Sequence, residues 1–170
     1  IIKNKDSELI WLLFHPNIYT FGASSNQNDF IFKPDLRGSR VYKRVLARRL
    51  AVQALYQWQM TFVDVDQLLK EFGSDRDLGK ADEAYFKELV VGVSEQFSEL
   101  KSFLEGVLDR DWEQVQIVER SILLIGAMEL RAGEVPLSVV INESVELCKR
   151  FGTVDGFKYV NGVLDALKKK

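Results

Sequence analysis

Residues 114–131, QVQIVERSILLIGAMELR, decide the fold of this chain. Apolar side chains occupy most of the helical circumference of this stretch, and charged residues lie only near its two ends. A surface helix has a single apolar stripe, whereas a helix that is apolar nearly all round is covered by other helices. The apolar positions are Val115, Val118, Ile122, Leu123, Ile125 and Met128. We therefore predict that residues 114–131 form the central helix of a helical protein.

Helical signals continue on both sides of this stretch. Gly133 to Pro136 ends the central helix, and Pro136 is the only proline after residue 34, which favours helix throughout. Gly152 is placed to stop the following helix. The spacing predicts helices over about 40–61, 65–72, 82–98, 100–108, 114–131, 136–151 and 155–167. Seven short helices with compact loops predict an all-α fold.

The first 40 residues differ from the rest. Residues 9–32 are rich in aromatic, Ile, Asn and Ser residues without a helical period, and they predict short strand pieces. Pro34, Gly38 and Ser39 then indicate a linker. We therefore predict a non-helical N-terminal appendage over residues 1–40 and a helical domain over residues 41–170. A segment of this length is too short to build a core of its own.

Composition limits the classes of function. A single cysteine, Cys148, excludes an internal disulfide, and with a single histidine, His15, we expect no metal site and no cofactor. The longest apolar run covers residues 9–14, far short of the roughly 20 residues that span a bilayer. We therefore expect a cytoplasmic protein with no membrane partner.

Charge is concentrated before the central region. Residues 34–50 hold six Lys or Arg and one acid on a chain whose net charge is −2. Arg44 and Arg48 are four positions apart on one helical stripe, and Lys43 and Arg49 flank them. Guanidinium forks bind phosphate oxygens in pairs. The basic helix start therefore predicts a phosphate-binding surface, with a merely solvated helix end as the alternative.

A second pair of residues lies near the start of the last helix. An exposed Tyr159 beside Lys158 would stack on an unpaired base while the ammonium group holds a phosphate. The alternative is that Tyr159 packs inward with its apolar neighbours. Elsewhere the helical part has no Gly-rich phosphate loop, and Cys148 lies on an apolar stripe without a histidine base, so we predict no enzyme.

Several motifs, in order along residues 42–167, carry a family resemblance. They are AVQALYQWQ at 51–59, LVVGV at 89–93, ERSILL at 119–124, INE at 141–143 with FG at 151–152, and VNGVLD at 160–165. In these the chain resembles the NusB family of transcription antitermination factors. The resemblance implies two small packed helical subdomains. It also implies a non-enzymatic factor that binds boxA-type single-stranded RNA with NusE, a ribosomal small-subunit protein, in RNA polymerase antitermination complexes during ribosomal RNA transcription.

The same resemblance implies roles for individual residues. The RNA-binding residues would be Lys43, Arg44, Arg48, Arg49, Asp155, Lys158 and Tyr159, and those facing the NusE partner would be Tyr56 and Glu119. Val45 and Leu46 stand where the family often has further arginines, so we expect fewer phosphate contacts. The resemblance also allows a homodimer that hides the basic surface.

Two alternatives come from other classes of protein. Residues 10–25, IWLLFHPNIYTFGASS, weakly resemble a strand region of lipoate-protein octanoyltransferases, but the Lys and Cys that such an enzyme needs have no counterpart here. The helical domain also resembles the RNA-recognition module that some RNA methyltransferases carry, although the chain lacks their cofactor-binding α/β domain. Both alternatives are weaker than the antitermination factor.

Overall fold

The computed structural model describes residues 39–74 and 77–168, and the predicted appendage therefore lies almost wholly outside the described residues. Seven α-helices and two short 3-10 turns, Leu78–Lys80 and Trp112–Gln114, make up the described part. The helices are α1 Arg40–Thr61, α2 Val65–Gly73, α3 Glu83–Glu95, α4 Phe97–Glu105, α5 Ile117–Ala132, α6 Leu137–Phe151 and α7 Gly156–Leu167. The predicted all-α fold is confirmed for these residues.

Helix ends follow local chemistry. The Ser39 hydroxyl accepts a hydrogen bond from the Tyr42 amide at 3.2 Å, and the Asp82 carboxylate accepts one from the Tyr85 amide at 3.0 Å. Gly133 ends α5 in the left-handed region at φ 70°, which glycine adopts without strain. The predicted stops at Gly133 and Gly152 are thus confirmed.

Two predicted boundaries are wrong. The helix expected over 82–98 ends at Glu95, and a new helix begins at Phe97 after a break at Gln96. The change of direction lets the Phe97 ring meet Trp58 edge-on at 5.4 Å and Trp112 at 6.2 Å. The central helix begins at Ile117 rather than 114, because residues 112–114 form a separate 3-10 turn.

Helix α5 is central, as the sequence predicts. It contacts α1, α3, α4, α6 and α7, and every residue from Ser121 to Ala127 is buried. Gly126 lets α7 approach closely, because a Cβ atom there would lie 3.0 Å from Leu164 Cδ2. The buried apolar side chains form one cluster that includes residues of all seven described helices, so these helices share a single core. None of the described helices is long and apolar enough to cross a membrane.

Candidate nucleic-acid interface

The first turns of α1 form an exposed basic surface. Arg40 and Lys43 are exposed and line a shallow groove of about 460 Å³ with Ala81, Asp82 and Glu83. The Asp82 amide donates a hydrogen bond to the Lys43 carbonyl at 3.1 Å, which ties the start of α3 to this part of α1. The groove therefore presents two exposed cationic side chains beside the acidic side chains of Asp82 and Glu83.

Arg44 is only partly available to a ligand. Its guanidinium lies 4.2 Å from the centre of the Tyr85 ring, and its Nε is 3.8 Å from a carboxylate oxygen of Asp82. A quarter of the side chain, 24%, is exposed. Arg49, further along α1, is half-buried. Part of each side chain remains at the surface, but neither arginine lines the groove.

Arg48, which the sequence predicts to hold a phosphate, lies inside the fold. The side chain is 4% exposed, and its Nε and Nη2 donate hydrogen bonds to Glu129 Oε1 at 3.0 and 2.7 Å. Nη2 also lies 3.1 Å from the Tyr85 hydroxyl, which donates to the same carboxylate. Burial raises the pKa of Glu129, and the hydrogen bond from Arg48 opposes that rise. Arg48 therefore joins α1, α3 and α5 inside the fold.

The start of α7 presents the second predicted group. Asp155 and Lys158 are exposed and form an ion pair at 3.3 Å. Tyr159 is half-buried and packs against the hydrophobic core, so both the exposed and the inward-packed alternatives hold in part. Burial raises the pKa of its phenol, and the nearby Arg110 opposes that rise. Arg110 lies over the ring, with its Cζ 4.2 Å from the ring centre.

The two residues predicted to face a protein partner are buried. Glu119 is 5% exposed, and its Oε1 accepts hydrogen bonds from the Thr153 hydroxyl at 2.7 Å and the Thr153 amide at 3.4 Å. Tyr56 is 7% exposed and belongs to the core cluster. Glu119 thus fixes the loop that leads into α7, and it positions Lys158 and Tyr159 indirectly.

The start of α1 and the loop before α7 are each tied to a glutamate of α5, one near either end of that helix. Arg48 is bound to Glu129 near the end of this helix, while Glu119 near its start holds the loop before α7. Ten residues of helix separate the two glutamates, a rise of about 15 Å. A ligand that contacted both surfaces would be an extended chain of several units rather than a compact small molecule.

Sequence reasoning missed two residues of this region. Tyr85 underlies both Arg44 and Arg48, and Arg110 covers Tyr159. Neither pairing has a sequence signal, because the partners are 37 or more positions apart and on different elements. The predicted core position of Cys148 is confirmed: the thiol is fully buried, and burial raises its pKa to about 12.

Known proteins resemble the chain over its helical part. The model of the NusB family matches residues 46–169. The transcription antitermination protein NusB of Hahella chejuensis is 48% identical over 126 residues, which cover 74% of this chain and 85% of that protein. NusB of Shewanella amazonensis is 45% identical over 126 residues, covering 74% and 94%.

Solved structures agree in fold. A complex of the antitermination factors NusB and NusE with double-stranded RNA contains a chain that superposes with a TM-score of 0.64 at 28% identity, covering 75% of this chain and 96% of that one. NusB from Aquifex aeolicus superposes with a TM-score of 0.65 at 29% identity, covering 75% and 88%. By sequence and by structure, the chain belongs to the NusB family.

Proposed function

We propose that this protein is a transcription antitermination factor that binds boxA-type single-stranded RNA together with NusE during ribosomal RNA transcription. The observation that carries the proposal is the likeness to a NusB chain solved with NusE and double-stranded RNA, which extends over 96% of that chain. That boxA is bound as a single strand is part of the proposal. Its work is binding rather than catalysis, since the curated relatives are antitermination proteins. We place it in the cytoplasm, within RNA polymerase antitermination complexes.

The RNA-binding residues in this proposal are those that the fold leaves accessible. Lys43 and Arg44 would hold phosphates at the start of α1, with Arg49 further along the helix. Lys158 would hold a phosphate at the start of α7, and Asp155 orients its ammonium group through their ion pair. Glu129, bonded to Arg48 of α1, and Glu119, bonded to the loop before α7, are about 15 Å apart along α5, so a strand that touched both regions would extend over several nucleotides.

The protein partner would bind beside Tyr56 and Glu119. Because both side chains are nearly buried, they would shape that surface through the helices and the loop that they hold, with few direct contacts.

A homodimer that covers the basic surface is a further proposal. Size-exclusion chromatography with light scattering should then show a dimer that becomes monomeric on adding RNA, and a monomer at all concentrations would argue against it.

The proposal is tested by titrating fluorescently labelled boxA RNA and a scrambled RNA of equal length, each with and without NusE. We expect tighter binding to boxA, and tighter still with NusE. Affinity should fall with salt by about 0.7 in log K per log salt concentration for each phosphate contact. Equal affinity for the two RNAs would rule out sequence-specific recognition.

Single lysine variants localise the contact. Lys43→Ala should reduce the slope of log K against log salt concentration by the equivalent of about one phosphate contact. Lys70 is an exposed lysine of α2, and Lys70→Ala should leave this slope unchanged. Equal effects of the two variants would place the RNA elsewhere on the surface.

No observation favours the methyltransferase module, and the region resembling octanoyltransferases lies outside the described residues.

A further inference from the structure

Arg110 is held along one edge of its guanidinium by the carboxylate of Asp109. Its Nε lies 2.8 Å from Asp109 Oδ1, and its Nη2 lies 3.4 Å from Asp109 Oδ2. A carboxylate bound in this forked manner lies in the plane of the guanidinium. The contact therefore fixes the orientation of the group without covering either face.

One face of the guanidinium is occupied by Tyr159. The Arg110 Cζ atom stands 4.2 Å from the centre of the Tyr159 ring, within the range of a cation–π contact. Tyr159 itself packs against the hydrophobic core, which makes it a fixed support. The Arg110 side chain is 44% exposed, so a large part of it remains open to solvent while the ring contact is made.

This arrangement changes which group a base can reach. The ring face of Tyr159 that would receive a base already carries Arg110, and reaching it would require breaking both the contact with the ring and the bond to Asp109. The outer face of the guanidinium is available without any rearrangement. Planar arginine groups stack on unpaired bases as aromatic rings do.

We infer that Arg110 is the base-stacking platform of the α7 surface, with Tyr159 as the support beneath it and Asp109 as the group that sets its orientation. The inference rests on the proposed RNA-binding function and adds a residue to it. The bound order is base, Arg110, Tyr159, and Lys158 beside this stack holds the adjacent phosphate. Because Asp109 balances its charge, Arg110 contributes mainly through its planar face.

Two substitutions at Arg110 separate this arrangement from the alternatives. Arg110→Ala removes the platform, and Arg110→Lys keeps the charge but removes the planar face. We expect both variants to bind labelled boxA RNA with NusE about tenfold more weakly than the unchanged protein. The salt dependence of Arg110→Lys should stay unchanged, since the number of phosphate contacts is the same. The exposed position of Arg110 should leave the thermal midpoint of each variant near that of the unchanged protein, which circular dichroism checks.

The opposite results would overturn the inference. Tighter binding by Arg110→Ala would mean that Tyr159 is the platform and that Arg110 only covers it. Unchanged binding by Arg110→Lys would mean that Arg110 acts through charge alone. Lys158→Ala serves as the reference: if it weakens boxA binding while both Arg110 variants do not, the inference fails and the proposed function stands. If the unchanged protein does not prefer boxA to the scrambled RNA, both fail.

Discussion

Replacing Arg48 by Met leaves the Glu129 carboxylate buried without its cationic partner. Arg48 and Glu129 are 4% exposed each, and the guanidinium supplies three of the hydrogen bonds that Glu129 receives. Only the Tyr85 hydroxyl would remain as a donor to that carboxylate. Removing one partner of a buried ion pair costs about 3–5 kcal/mol, because the other charge stays desolvated. For a domain of this size we expect the thermal midpoint to fall by roughly 10–20 °C.

The pH dependence of this variant has a definite sign. Burial already raises the pKa of Glu129, and loss of Arg48 removes a group that lowers it. A carboxyl group whose pKa is higher in the folded than in the unfolded state binds its proton more tightly when folded. The penalty is therefore absent below the unfolded pKa and grows as pH rises through the folded pKa. The difference in unfolding free energy between Arg48→Met and the unchanged protein should be larger at pH 8 than at pH 5.

Urea unfolding followed by circular dichroism at both pH values measures these differences. The matched control is the double variant Arg48→Met with Glu129→Gln. It removes the unpaired buried charge but keeps an amide oxygen that accepts from the Tyr85 hydroxyl. That double variant should be more stable than Arg48→Met alone at pH 8. A single variant within about 1 kcal/mol of the unchanged protein at pH 8 would refute the buried pair, as would a penalty independent of pH.

Two other predictions concern buried positions. Cys148, whose pKa is raised to about 12 by burial, should react with a thiol reagent at pH 8 only as the protein unfolds, and rapid stoichiometric labelling of the native protein would contradict its core position. Gly156→Ala would place a Cβ atom against Glu119 Oε1 and should cost about 1–3 kcal/mol of unfolding free energy, with weaker RNA binding because the start of α7 moves. Gly162→Ala in the same helix meets no atom within 4 Å and should instead stabilise the protein by about 0.5–1 kcal/mol; equal effects of the two changes would argue against the close contact at Gly156.

The helices were predictable because their signals are local. The nearly all-round apolar character of residues 114–131 identifies α5, and the glycines at 133 and 152 identify two helix ends. The break at Gln96 was not predictable in this way. Apolar residues at Val93 and Phe97 continue the helical period across it, and neither glycine nor proline marks the change of direction.

The helical period of α1 indicated that Arg48 points inward, but its charge led to the prediction that it binds phosphate. Ala51, Val52 and Leu55 lie three, four and seven positions further along α1, and all are buried. The helical period alone therefore places Arg48 on the core face. What the sequence could not supply is the acceptor, since Glu129 lies 81 positions away. A charged residue on a core stripe predicts a buried partner without identifying it.

Among the proposed binding residues, the exposed lysines were predictable from the sequence, whereas the contact of Arg110 with Tyr159 was not. Lys43 and Lys158 are exposed, as their positions at helix starts predict. The cover over Tyr159 depends on a loop between α4 and α5 that reaches α7, and only the packed structure brings Arg110 to that ring.

The most direct test compares boxA RNA with a scrambled RNA of equal length, in the presence of NusE and at two salt concentrations. We predict that the protein binds boxA more tightly at both, and that Lys43→Ala and Lys158→Ala each reduce the salt dependence by about 0.7. Equal affinity for the two RNAs, together with no effect of either lysine, would contradict the assignment of this surface to RNA.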